Sequence, residues 1–199
     1  MKHAVAALQT SHLADAPPQP WRNGGGITHS LLAWPLGTAD GDWLLRISVA
    51  HIHQDGPFSR FDGVARAFAV LRGAGVRLQL AAAPIELRAG DAPLHFDGAS
   101  APGCSLLDGP TQDLNLMARH SAGRVRMACA GPGNTLTGHM RWRGLYSTGP
   151  QRLWVNGDPL DLSADTLAWS DSDLDASWQL GQPNPHPAPA WWLSLESPP

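Results

Sequence analysis

Proline and glycine interrupt this chain so often that few stretches are long enough to hold a helix. Eighteen Pro and 21 Gly are scattered through its 199 residues. In a helix interior each would cost roughly 1 kcal/mol (Gly) to 3 kcal/mol (Pro), whereas short apolar runs separated by turns suit strands. The expected fold class is all-β. The length suffices to bury a core without disulfide or metal staples. Nine Trp against one Tyr supply large apolar plates whose indole N–H groups each want an acceptor. Most belong in the core, and some are available to line a pocket.

The strand pattern is clearest in WLLRISVAHIH, Trp43 to His53. With a side-chain period of two, Trp43, Leu45, Ile47, Val49, His51 and His53 share one face, and Leu44, Arg46, Ser48, Ala50 and Ile52 share the other. The first face is apolar until its two histidines; the second carries an Arg and a Ser. Further strands are expected at Ile27–Trp34, Arg66–Leu71, Val76–Leu80 and Pro84–Leu87, separated by the turns Arg72–Gly75 and Ala89–Asp91. In DLNLMAR, Asp113, Asn115 and Met117 alternate with Leu114, Leu116 and Ala118. This succession has the rhythm of a small antiparallel barrel, whose closure would remove exposed edges, and it resembles a cupin. LWVNGDPLDL, Leu153 to Leu162, repeats the rhythm more weakly, and the proline-rich arm GQPNPHPAP leads to a last strand at Trp191–Leu195. Two such modules would make a bicupin: one compact unit over residues 1–199, with an N-terminal module at 1–120 and a more degenerate one at 121–199 that closes around the last strand. The polar residues of the second module, such as Asp161 and Asp165, read as solvent-directed, which makes it a structural half.

The segment PWRNGGGIT, Pro20 to Thr28, holds three consecutive glycines. Ordering them is entropically expensive, so they imply a positive φ or a very close backbone approach. Two readings are open. Successive free N–H groups could form an anion-binding nest, with Asn23 adding an amide and Arg22 a positive fork. Otherwise the segment is a tight turn before the strand at Ile27.

A net charge of −3 with 14 dispersed Lys and Arg leaves no footprint for a phosphate backbone, so no nucleic-acid partner is expected. Cys104 and Cys129 form no CxxC and no Cys/His metal spacing, and free thiols in a reducing cytoplasm fit best. The N-terminal run lacks the apolar core of a signal peptide, and no membrane span is read.

Five segments now stand in order: PWRNGGGIT, WLLRISVA, GPFSRFDG followed by Arg66, LRG at Leu71–Gly73, and DLNLMAR at Asp113–Arg119. Together they resemble the HutD/Ves family, bacterial bicupins linked to histidine utilisation, over Trp21 to about Arg119. The resemblance implies an accessory or regulatory role in that process, with urocanate, formiminoglutamate or formylglutamate as ligand. The chain departs from the family pattern at Thr28-His29-Ser30, where relatives tend to read Thr-Arg-Glu, and at Ala65, where they place an acid. Both departures remove a carboxylate, which predicts a more positive pocket.

The expected ligand site is a cavity in the first module lined by Trp21, Asn23, Thr28, Arg46, Ser48, Phe61, Arg66, Asn115 and Met117. Arg46 would clamp a carboxylate through paired charge-assisted bonds, Asn115 would offer an amide, and Met117 an adaptable apolar wall. The alternatives for Arg46 and Asn115 are local structural pairing. His51 and His53 invite a metal reading, but they lie on the strand face opposite Arg46 and Ser48 and lack a downstream Glu at the expected distance. No metal or cofactor is therefore expected. No nucleophile elbow, phosphate loop or redox motif is present, so no catalytic residue is assigned. A metal-independent enzyme acting on a related acid, a metal-dependent cupin oxygenase, and a homodimer formed through edge strands are the competing readings.

Overall fold

The computed structural model describes residues 8–38, 41–172, 176–181 and 188–197. The expectations for the N-terminal run and the proline-rich arm fall partly outside them, at residues 1–7 and 182–187. The described residues form strands and three single-turn 3₁₀ segments, as the spacing of breakers requires. In chain order the strands are β1 (Gln9–His12), β2 (Pro18–Pro20), β3 (Gly26–Trp34), β4 (Leu45–Ile52), β5 (Gly56–Pro57), β6 (Val64–Arg72), β7 (Val76–Gln79), β8 (Pro84–Leu87), β9 (Leu94–Asp97), β10 (Gly103–Leu106), β11 (Thr111–Arg119), β12 (Arg124–Ala130), β13 (Thr135–Leu136), β14 (Trp142–Ser147), β15 (Gln151–Val155), β16 (Asp158–Leu162), β17 (Thr166–Ser170), β18 (Trp178–Leu180) and β19 (Ala190–Glu196). No helix among the described residues is long and apolar enough to cross a membrane.

These strands build four sheets. A six-stranded sheet, β2-β3-β4-β11-β6-β9, faces a four-stranded one, β5-β10-β7-β8; a five-stranded sheet, β1-β17-β14-β19-β12, faces another four-stranded one, β13-β18-β15-β16. The alternation read from WLLRISVA decides how the layers stack. Leu45, Ile47 and Val49 turn away from the first half's interior and join Leu114, Leu116, Ala67 and Ala69 in a core shared with Trp142, Tyr146, Trp169, Trp191 and Leu193 of the five-stranded sheet. The two large sheets thus pack back to back, and truncating a buried Leu or Ile there would cost about 2–5 kcal/mol. The opposite faces close on their own four-stranded partners. Ala50, Ile52, Phe68 and Val70 meet Val76, Leu78 and Cys104; Leu145 and Trp192 meet Leu153, Trp178 and Leu180.

Two expectations change. Among the described residues no ladder joins a large sheet to its four-stranded partner, so each half is an open pair of facing sheets rather than a closed barrel, and edges remain. Asp165 is not solvent-directed. It sits in a left-handed turn at φ 51° and bridges the halves, pairing with Arg72 at 2.9 Å and accepting from the Tyr146 hydroxyl at 3.3 Å. Asp161 does face solvent, paired with Arg152. The turn in LWVNGDPLDL is Asn156-Gly157, both residues at positive φ, as a two-residue hairpin requires. Strand β1 leaves the first half to pair with β17, tying the N-terminal segment to the second half.

Candidate functional site

Antiparallel register places the cavity residues before any side chain is considered. Arg46 on β4 lies opposite Met117 on β11, and Met117 lies opposite Arg66 on β6. Residues directly opposite share a sheet face at about 4.8 Å spacing, so the two arginines lie on one face with backbones ~10 Å apart. One row along, Ser30, Ser48, Asn115 and Phe68 align in the same way. This face and the loops above it enclose a cavity of about 510 Å³. All nine residues expected at the site line it. The cavity also takes Arg22, Phe58 and Phe68, which sequence reading did not assign to it. Its described lining contains three arginines and no Asp, Glu, His, Lys, Cys or Tyr.

Arg66 is the unusual member. It is only 6% exposed, and no carboxylate among the described residues pairs with it. Its Nη2 donates to Asn115 Oδ1 at 2.7 Å, while Nε and Nη1 are buried without a partner. The guanidinium carbon stands 4.9 Å from the Phe58 ring, 5.0 Å from Phe96 and 5.9 Å from Phe61, distances at which aromatic faces attract a cation. Burial lowers the Arg66 pKa to about 10, and the nearby Arg46 charge adds to the shift. Among the described residues the one charge that acts on Arg66 is another cation, and a buried cation in that setting is costly. The charge expected mainly from half-buried Arg46 is therefore supplied most deeply by Arg66. The pattern "Phe-x-x-Phe before Arg" in GPFSRFDG signals two of the ring contacts; Phe96 reaches Arg66 only through the β6–β9 register, which no local pattern encodes.

Of the two readings of the glycine loop, the structure favours the tight turn before β3 over the nest. Gly24 N–H donates to the Trp21 carbonyl at 3.0 Å and Gly25 N–H to Asn23 Oδ1 at 3.0 Å, so these donors are spent locally. The glycines are needed for other reasons. Gly24 has φ +71°, and a Cβ on Gly26 would lie 2.5 Å from the His51 carbonyl oxygen and 3.1 Å from the Trp21 ring. The loop props Trp21 against the cavity, where its indole donates to Thr28 Oγ1 at 2.8 Å, leaving the Thr28 proton to donate.

Strand parity disposes of several other residues. His51 stays outside the cavity, with its ring 5.3 Å from that of His29 and Nε2 3.0 Å from Gln112 Nε2; burial, then the His29 and His53 charges, lowers its pKa. Ala65 packs toward the core between the large sheets. The missing acid at that position therefore does not alter the cavity, contrary to the expectation of a more positive pocket from both departures. Below Asn115 on the same face, Asp113 is fully buried. Thr111 donates to its Oδ2 at 2.8 Å, Oδ1 has no partner, and burial raises its pKa to about 7. Both cysteines are free, Cys104 buried and Cys129 exposed.

The sequence matches the HutD family over residues 13–180. An uncharacterized 21.2 kDa protein in the hutC 3′ region of Pseudomonas putida is 35% identical over 124 residues, which span 62% of this chain and 64%, just under two thirds, of that relative. Protein Ves of Citrobacter koseri is 31% identical over 156 residues, 78% of this chain and 79% of that protein. The structure of HutD from Pseudomonas fluorescens superposes with a TM-score of 0.80 at 24% identity, over 97% of this chain and all of that one. At the level of fold alone, 2-hydroxyethylphosphonate dioxygenase aligns over 98% of this chain and 80% of its own, with a TM-score of 0.66 and 9% identity. The architecture is cupin-like.

Proposed function

The chain belongs to the HutD/Ves family, and from that premise we propose that it binds a small organic acid in the cavity of its first half and acts as an accessory or regulatory protein in histidine utilisation. The observation that carries this reading is Arg66: a buried guanidinium with no carboxylate partner among the described residues, in a cavity whose described lining has three arginines and no acid. The ligand's carboxylate supplies the missing counter-charge, and Asn115, Ser48 and Thr28 offer hydrogen bonds that orient a planar polar group. The aromatic wall of Trp21, Phe58 and Phe61 suits such a group. The described lining holds no side chain suited to take or give a proton near neutral pH, which favours binding over acid–base catalysis.

Urocanate, formiminoglutamate and formylglutamate fit this chemistry, and the hutC-region location of the Pseudomonas putida relative supports a place in histidine breakdown. In this reading the chain is a bicupin, with modules at 1–120 and 121–199. The second module is structural, its interior filled by Trp178, Trp192 and Leu145. Thermal-shift measurements with each acid test the proposal. An acid at a hundred times its dissociation constant stabilises by about 2.7 kcal/mol, which raises the melting temperature by roughly 5–10 °C in a chain of this size. No shift with any of the three at millimolar concentration refutes it.

A further inference from the structure

The triple-glycine loop spends its Gly24 and Gly25 donors on its own acceptors and contributes no anion nest. Besides the Gly24 and Gly25 donors already described, Trp21 N–H is bonded to the Gly26 carbonyl at 2.9 Å, and the Gly25 carbonyl accepts from His53 N–H at 2.8 Å. The loop is thus braced on its own atoms and on the end of β4. What this frame holds out is Arg22, which is exposed, lines the cavity and forms no ion pair or hydrogen bond with the described residues.

We propose that Arg22 is the steering residue of the cavity, a positive charge at its mouth that captures an anionic ligand and passes it to Arg46 and Arg66. The inference rests on the reading of the cavity as an organic-acid site. The whole chain carries a net charge of −3, so its distant field repels an anion. At physiological salt, charges beyond about 8 Å are largely screened, and the groups at the entrance decide the encounter. Rim charges act mainly on association rate and its salt dependence, whereas buried charges act on dissociation. Arg22 and Arg66 therefore divide the work: the outer one sets how fast the ligand arrives and the inner one how long it stays.

Rapid-mixing kinetics separate these roles. Binding of N-formylglutamate is followed by the fluorescence of Trp21 and its fellow tryptophans, and binding of urocanate by its own absorbance. Arg22→Glu is expected to slow association about tenfold at ~20 mM salt, with the gap closing to about twofold at ~0.5 M, while dissociation changes by less than about twofold. Arg124→Glu makes the same change in net charge at an exposed position outside the cavity and is expected to leave association within about twofold. The inference is overturned if Arg22→Glu leaves association unchanged, if it acts on dissociation instead, or if Arg124→Glu slows association equally; in each case the acid-binding reading stands. If wild-type protein binds none of the three candidate acids, both fall together.

Discussion

Arg66 Nη2 donates to Asn115 Oδ1 at 2.7 Å across the β6–β11 ladder. The bond fixes the Asn115 amide with its carbonyl toward the guanidinium and its NH₂ available to donate. It also leaves Nε and Nη1 of Arg66 without acceptors in a phenylalanine cage. If the acid-binding reading holds, the side chain serves charge and not stability.

Arg66→Met tests that distinction, because binding and stability should move in opposite directions. Removing a buried charge that a ligand neutralises should weaken acid binding by at least about 2 kcal/mol, some thirtyfold. Replacing an uncompensated buried cation by an apolar group of similar length is neutral or stabilising. Calorimetric titration should show the loss of affinity while the unliganded variant melts no lower than the wild type. A variant that melts well below the wild type would mean that Arg66 is structural.

Asp113 makes stability depend on pH with a definite sign. Its folded pKa is raised to about 7 above the ordinary value of about 3.9. The folded state therefore favours the protonated carboxyl: its contribution is fully present below pH ~4 and is lost as pH rises through ~7. Denaturant unfolding between pH 4 and 8 should show this decline in the wild type and a flatter profile in Asp113→Asn. Equal slopes would remove Asp113 as the cause.

Gly26→Ala and Gly24→Ala should differ sharply. At Gly26 the added Cβ meets the His51 carbonyl oxygen at 2.5 Å, backbone that must shift, and a loss of several kcal/mol with displacement of Trp21 is expected. Gly24 has open space but φ +71°, so alanine there costs only about 1–2 kcal/mol. Melting temperatures of the two variants check the order.

The two thiols should react at very different rates. Cys129 is exposed, while burial, helped by the Asp113 and Asp55 charges, pushes the Cys104 thiol up to about 12. Thiolate is the reactive form, so a disulfide reagent should modify one equivalent promptly and the second only on unfolding.

Much of this was legible in the residues. Alternation in WLLRISVA and DLNLMAR placed Arg46, Ser48, Asn115 and Met117 on one interior face, because each strand is lined by polar residues on one side and packed on the other. The same parity kept His51 out of the cavity. Strand β14 escaped for the opposite reason: all six residues of WRGLYS are buried, between the central core on one face and the second interior on the other, so they show no alternation. Strand β12 could have been found, since RVRMACA begins with exposed arginines alternating with buried Val125 and Met127. The rank order of the arginines was hidden, because the burial of Arg66 depends on Phe96, thirty residues downstream and joined by register alone. The nest reading failed because a sequence shows which N–H groups a loop possesses and not which of them its own carbonyls consume.

A crystal structure of the protein with the acid that stabilises it most is the most direct test of the account. The account predicts the ligand's carboxylate inside the first-half cavity, with an oxygen within about 3.2 Å of a guanidinium nitrogen of Arg46 or Arg66. An acid seated in the second half, or in the cavity with its carboxylate turned away from both arginines, would contradict it.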